Sequence, residues 1–135
     1  MALRHAIPPD TLAAQTRAAD PGVTAWVSAN AGSGKTHVLT QRVIRLLLAG
    51  TPPSKILCLT FTKAAAANMS LRVFDTLSKW TTLDDAALES EIRKTGAPFA
   101  LTDLAFARRL FARTVETPGG LKIQTIHAFC ERLLH

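Results

Sequence analysis

The sequence predicts an α/β fold, a parallel sheet with flanking helices and a helical insertion, and three observations carry that prediction. Strand-like runs at residues 25–28, 56–60 and 122–125 are each followed by a segment with helical apolar spacing. A glycine-bearing loop, Ala29-Asn30-Ala31-Gly32-Ser33-Gly34-Lys35-Thr36, joins the first run to its helix. The first run, the helix after the loop and the second run follow one another as strand, helix and strand, the order of a parallel β-α-β unit.

In chain order, residues 1–20 read as a proline-containing lead and a short helix with Gln15 near its middle, closed by the turn Asp20-Pro21-Gly22. Trp26-Val27-Ser28 is the first strand. The helix after the loop carries Leu39, Val43, Leu46 and Leu47 at helical spacing and stops at Gly50-Thr51-Pro52-Pro53. Ile56-Leu57-Cys58-Leu59-Thr60 reads as a buried strand, apolar on both faces like a central parallel strand. Strand, helix and strand then form a right-handed β-α-β unit.

Thr62 can cap the next helix, whose apolar stripe is Met69, Val73, Leu77 and Trp80. Beyond it Asp84, Asp85, Glu89 and Glu91 collect in one polar helix, broken by Gly96-Ala97-Pro98. The helix after that break is expected to bury Leu104, Ala107, Phe111 and Val115, with Arg109, Arg113 and Glu116 on another face. Arg108, Arg109 and Arg113 are open to two readings, phosphate contacts or a solvated basic face. Pro118-Gly119-Gly120 breaks the pattern again, and Lys122-Ile123-Gln124-Thr125 is a third strand feeding a helix from His127 onward.

At 135 residues and 47% hydrophobic, the chain has enough material for one domain with its own core. Its uncharged apolar stretches are far shorter than the ~20 residues that span a bilayer, and no secretory leader pattern follows Arg4 and His5. A soluble cytoplasmic protein is expected. Cys58 and Cys130 sit in apolar runs without Cys or His at ligand spacing, which predicts core thiols and not a disulfide or a metal site. The net charge of +6 favours a polyanionic partner, but the basic residues are dispersed, so charge alone leaves nucleic acid undecided.

The loop carries more specific chemistry. Glycine lets consecutive backbone N–H groups turn inward around phosphate oxygens, and the following helix aims the positive end of its dipole at the same point. Lys35 would reach the β and γ phosphates of a nucleoside triphosphate, and the Thr36 hydroxyl would ligate Mg²⁺. The usual pattern, G-x-x-x-x-G-K-S/T, has Ala29 at its first position here, while Gly34 is intact. A bare Gly-Ser-Gly helix cap would not need the strand and helix that flank this one.

Three blocks occur in fixed order, Ala29 to Thr36, then Leu59-Thr60-Phe61-Thr62-Lys63-Ala64-Ala65-Ala66-Ala67-Asn68-Met69, then Ile123-Gln124-Thr125-Ile126-His127-Ala128-Phe129-Cys130. Together they resemble the first motor domain of UvrD/Rep-like superfamily 1 DNA helicases, over almost the whole chain. The wording is most similar to the AddA-type subunits of bacterial AddAB helicase–nucleases, with RecB-like proteins next. The resemblance implies a RecA-like P-loop NTPase sheet, incomplete at its C-terminus. It divides residues 1–135 into a phosphate-loop core with adenine and DNA motifs (1–80), a helical insertion (81–117) and a return to the core sheet (118–135). It also implies an ATP- and Mg²⁺-dependent DNA helicase of bacterial double-strand break repair and recombination, acting at the nucleoid on single- and double-stranded DNA, with an AddB-like partner in a longer parent.

Roles carry over by position. Gln15 matches the glutamine that reads the adenine edge, and a side-chain amide can both donate and accept there; an exposed helix glutamine is the equal alternative. Ala29, Asn30, Ala31, Gly32, Ser33, Gly34, Lys35 and Thr36 match the phosphate loop, and His37 stands where relatives carry an arginine beside the base. Thr60, Phe61 and Thr62 match the single-strand contact motif, in which hydroxyls and helix N-terminal N–H groups take phosphates and an aromatic ring stacks on any base. Phe61 as a core aromatic, and Thr62 as a helix cap alone, are the competing readings. Thr125 and His127 match further strand contacts, against a buried histidine satisfied by backbone. Asn68 departs from the family's glutamate.

Turnover needs an acidic residue after an apolar strand to hold Mg²⁺ and orient water, and, besides Lys35, an arginine finger of the kind the resemblance implies to stabilise charge developing on the γ phosphate. Neither is visible. The expectation is therefore an ATP-binding N-terminal fragment of a helicase that alone neither hydrolyses ATP nor unwinds DNA. Two alternatives stand beside it: a non-enzymatic nucleotide- and DNA-binding remnant, and another P-loop enzyme such as a kinase or switch GTPase. The second would need an acceptor pocket or Asn-Lys-x-Asp, and the sequence offers neither.

Overall fold

The computed structural model describes residues 9–25, 35–97, 103–118 and 120–134. The expected first strand, Trp26-Val27-Ser28, and loop residues Ala29 to Gly34 lie outside them. The described elements run, in order, α1 (Pro9–Ala19), α2 (Lys35–Leu48), a 3₁₀ turn (Pro53–Lys55), β1 (Leu57–Thr60), α3 (Lys63–Trp80), α4 (Asp85–Lys94), α5 (Asp103–Glu116), β2 (Lys122–Thr125) and α6 (Ile126–Leu133). None of these helices is long and apolar enough to cross a membrane.

The described strands pair in parallel, Leu57 with Lys122, Cys58 with Ile123, Leu59 with Gln124 and Thr60 with Thr125. Parallel pairing requires a long crossover, and α3, α4 and α5 supply it. Thr62 starts α3 as expected, its hydroxyl oxygen accepting from the Ala65 N–H at 3.0 Å. Asp84 does the same for α4, accepting from Ala87 N–H at 2.8 Å. Each supplies an acceptor to a first-turn N–H that has no partner within the helix. Gly96 ends α4 at φ +81°, a left-handed conformation that a side chain resists. Gly50 does so after α2 at φ +95°.

One core joins these pieces. Met69, Val73, Leu77 and Trp80, the stripe read from sequence on α3, are all buried and meet Val43, Ile44 and Leu47 of α2, Leu88 and Ile92 of α4, and Ala107 and Leu110 of α5. The polar helix α4 thus hides a two-residue apolar stripe beneath its acidic face. Arg108 fastens α5 to the start of α4, with its guanidinium 2.7 Å from Asp85 and 3.0 Å from the Leu83 carbonyl. It is therefore a structural strut and not an open phosphate contact.

Four expectations are corrected. Leu39 is half exposed and Val38, Thr40 and Ile44 are buried instead, because α2 turns a different face inward to meet α1 as well as α3. On α5, Val115 is exposed while Leu110 and Thr114 are buried, since the contact with α3 falls along that neighbouring row. β1 is not buried on both faces: Leu57 and Leu59 are each 43% exposed, and only the face bearing Cys58 packs toward the core. Cys130 is exposed on α6, which buries none of its residues, whereas Cys58 is half-buried, and burial pushes its thiol pKa up.

Candidate nucleotide and nucleic-acid site

Two groups of residues lie at the ends of the elements. The first is the N-terminus of α2. Lys35 is its first residue, exposed, followed by half-buried Thr36 and exposed His37. The Thr40 hydroxyl donates back to the Thr36 carbonyl at 2.8 Å, as threonines inside helices commonly do, and tightens this first turn. Lys35 also borders a cavity of about 310 Å³, walled by Ala18 at the end of α1, Thr24 and Ala25 beyond it, and Val38, Leu39 and Arg42 of α2. The half-exposed Leu39 that missed the core lines this cavity.

Gln15 sits on α1 one turn before Ala18. It is partly buried, and its amide Oε1 is shielded from solvent with no hydrogen-bond partner among the described residues. As placed, Oε1 is enclosed and Gln15 is not among the residues that wall the cavity, so presenting it to a donor such as a purine amino group takes a half-turn of the amide, which exchanges its two ends. Thr36 fits a magnesium ion in a limited sense. It offers one hard oxygen to a cation that otherwise keeps phosphate oxygens and waters, and no cluster of three His, Cys, Asp or Glu among the described residues forms a metal cage.

Arg42, which sequence reasoning missed, organises the cavity wall. Its guanidinium donates to the Ala18 carbonyl at 3.0 Å and the Asp20 carbonyl at 2.9 Å, and also to the Val23 carbonyl. The available signal was an arginine in phase with buried Val38 on α2.

The second group lies at the carboxyl ends of the paired strands. Because Thr60 and Thr125 are register partners, two sequence-distant blocks meet on one sheet edge, and each strand runs directly into a helix. Thr125 caps α6 by accepting from Ala128 N–H at 3.1 Å, beside Thr62 capping α3. The Thr60 hydroxyl is engaged within the fold, facing the Thr62 carbonyl at 3.0 Å and the Gln124 carbonyl at 3.4 Å. Phe61 stands out from this edge, 91% exposed, so it is not a core aromatic. His127 is not buried either: its side chain is 86% exposed, with Nε2 3.2 Å from Glu131 Oε1 one turn on. Adjacent helix N-termini with a protruding ring can present N–H groups to phosphates and a flat face to a base.

The family model of the UvrD/REP helicase N-terminal domain matches residues 11–135. An ATP-dependent helicase/nuclease subunit from Lactobacillus helveticus is 37% identical over 116 residues, 86% of this chain and 8% of that protein. One of the same name from Levilactobacillus brevis is 39% identical over 108 residues, 80% of this chain and 7% of its own length. Another, from Lactobacillus gasseri, is 52% identical over 59 residues, 44% of this chain and 5% of that protein. This chain thus spans less than a tenth of the length of these relatives. No solved structure matches it.

Proposed function

The chain belongs to the UvrD/REP helicase N-terminal domain family, and we propose from that membership that it binds ATP with Mg²⁺ at the start of α2 and single-stranded DNA at the carboxyl edge of β1 and β2. The observation that carries the nucleotide reading is the cavity of about 310 Å³ with Lys35 in its wall. It is the size of a small-ligand pocket, at a helix N-terminus where phosphate is favoured. In this reading residues 29–34 cradle the phosphates, Lys35 neutralises the β and γ phosphates, Thr36 joins the Mg²⁺ shell, and Gln15 and His37 flank the base. Bound Mg²⁺ would draw charge from the phosphate oxygens.

Thr60, Phe61, Thr62, Thr125 and His127 form the DNA edge. Their common placement follows from the Thr60–Thr125 register. β1 and β2 are then two strands of a RecA-like sheet, divided as 1–80 and 118–135 around an insertion at 81–117. The longer protein is an ATP-driven helicase of bacterial break repair, cytoplasmic, with an AddB-like partner. The 135-residue chain by itself binds without turning over, since β1 and β2 end in Thr60 and Thr125 and offer no carboxylate to orient water.

The test is Mg²⁺-dependent binding of a fluorescent ATP analogue to the purified chain and to Lys35→Ala, with and without single-stranded DNA. Loss of one charge-assisted contact predicts affinity weaker by about 10- to 150-fold in the variant. Equal binding by both proteins sinks the assignment of Lys35.

A further inference from the structure

Arg45 is a charged side chain placed in the core, only 8% exposed, on the face of α2 that also buries Ile44 and Leu47. Its two terminal nitrogens go to different parts of the chain. Nη1 donates to the Thr16 carbonyl of α1 at 3.1 Å, and Nη2 donates to the Gly96 carbonyl, just past α4, at 3.2 Å. Asp20 Oδ1 lies 3.9 Å from Nη2.

Thr16 and Ala18 are among the last four residues of α1, whose carbonyls have no partner within the helix. Arg45 takes the first and Arg42 the second. Two arginines one turn apart on α2 therefore close the C-terminus of α1, where positive charge is also favoured by the helix dipole. Gly96 is fitted closely against the same place: a Cβ there would lie 2.7 Å from Thr16 Cγ2 and 3.4 Å from Arg45 Nη1.

We propose that Arg45 is a positioning residue that fixes α1, and with it the Gln15 amide and the Ala18 wall of the cavity, and that its bond to Gly96 couples this nucleoside-facing helix to the insertion containing α4. Gln15 precedes Thr16 directly, so a carbonyl held at Thr16 sets the backbone from which the amide extends. The proposal rests on the nucleotide reading above. It assigns the phosphate end of the ligand to the start of α2 and the base end to α1, and Arg45 acts only on the second.

That separation gives the test. Binding of Mg²⁺-ATP and of Mg²⁺-tripolyphosphate, which has the phosphates without the nucleoside, is measured by calorimetry on the 135-residue chain and on Arg45→Lys. Lysine keeps the charge but cannot bridge two carbonyls with one planar fork. The expected result is a fall of about tenfold in the preference for ATP over tripolyphosphate, with tripolyphosphate affinity within about twofold of the parent protein. If both affinities fall together, or neither changes, Arg45 is only a packing element and the proposal is overturned. Should Arg45→Lys fail to fold, Arg45→Gln decides by the same ratio, because its shorter amide cannot reach the Thr16 and Gly96 carbonyls together. A parent chain that binds neither ligand overturns the nucleotide reading itself. One that binds both equally keeps the phosphate site and overturns the role of α1.

Discussion

Replacing Phe61 with alanine separates a residue that serves the fold from one that serves a ligand. A fully buried phenylalanine gains about 1.5–3 kcal/mol from leaving water. With the residue 91% exposed, at most ~0.3 kcal/mol of that remains to be lost. The cap of α3 lies at Thr62 and is untouched, so the thermal midpoint of Phe61→Ala should stay within about 2 °C of the parent. Stacking on a base is a different matter, contributing about 1–3 kcal/mol per aromatic platform, or roughly 5- to 150-fold in Kd. Fluorescence anisotropy with a labelled oligothymidylate reads the second quantity and a melting curve reads the first. The reasoning is refuted if DNA affinity is unchanged, and equally if the variant melts far below the parent.

Trp80 gives the opposite pattern. It is 1% exposed at the end of α3, within the core shared with α2, α4 and α5, and Trp80→Ala should cost about 3–5 kcal/mol, seen as a midpoint lower by roughly 10–20 °C; a shift under about 3 °C would contradict that packing. The two thiols should differ in reactivity. At pH 8 iodoacetamide should modify exposed Cys130 well before Cys58, whose burial disfavours the thiolate, and peptide mapping of a time course checks the order. The raised Cys58 pKa also has a sign: the folded state holds that proton more tightly, so its contribution to stability is complete below the thiol's ordinary value of 9.0 and is lost as pH rises through the folded-state value. Urea midpoints measured between pH 8 and 11 should therefore decline at the alkaline end, more in the parent than in Cys58→Ala.

The parts of the fold legible in the sequence were those written in local pattern. Met69, Val73, Leu77 and Trp80 repeat along a single stripe of α3, so the spacing specified the buried face without competition. Lys122 to Thr125 lies between a Pro-Gly-Gly break and a helical segment, and the strand occupies those four residues. α2 was harder, because apolar residues occur on several of its faces; which row is buried depends on α1 and α3 together, and an arginine in the core has no periodic signature. The exposure of Leu57, Leu59 and Phe61 depends on what covers a sheet face, and strand composition is silent on that. In the candidate site, Lys35, Thr60 and Thr125 could be selected from motif chemistry, but the meeting of Thr60 with Thr125 is a fact of strand register, and the Arg42 contacts are tertiary throughout.

Direct pairing of β1 with β2 makes the threonine edge indifferent to the length of what lies between. The separation of Thr60 from Thr125 is set by four backbone-paired positions, not by the three helices that link them. Adding residues at the exposed turn after α3, around Thr81 and Thr82, changes only the entropy of closing that excursion, which grows with the logarithm of its length. That turn is in this sense the place where length can be added by evolution or by design, whereas Leu88, Ile92, Ala107 and Leu110 of the helices that follow share the core with Trp80 and have to be kept, while the two strand ends stay in register.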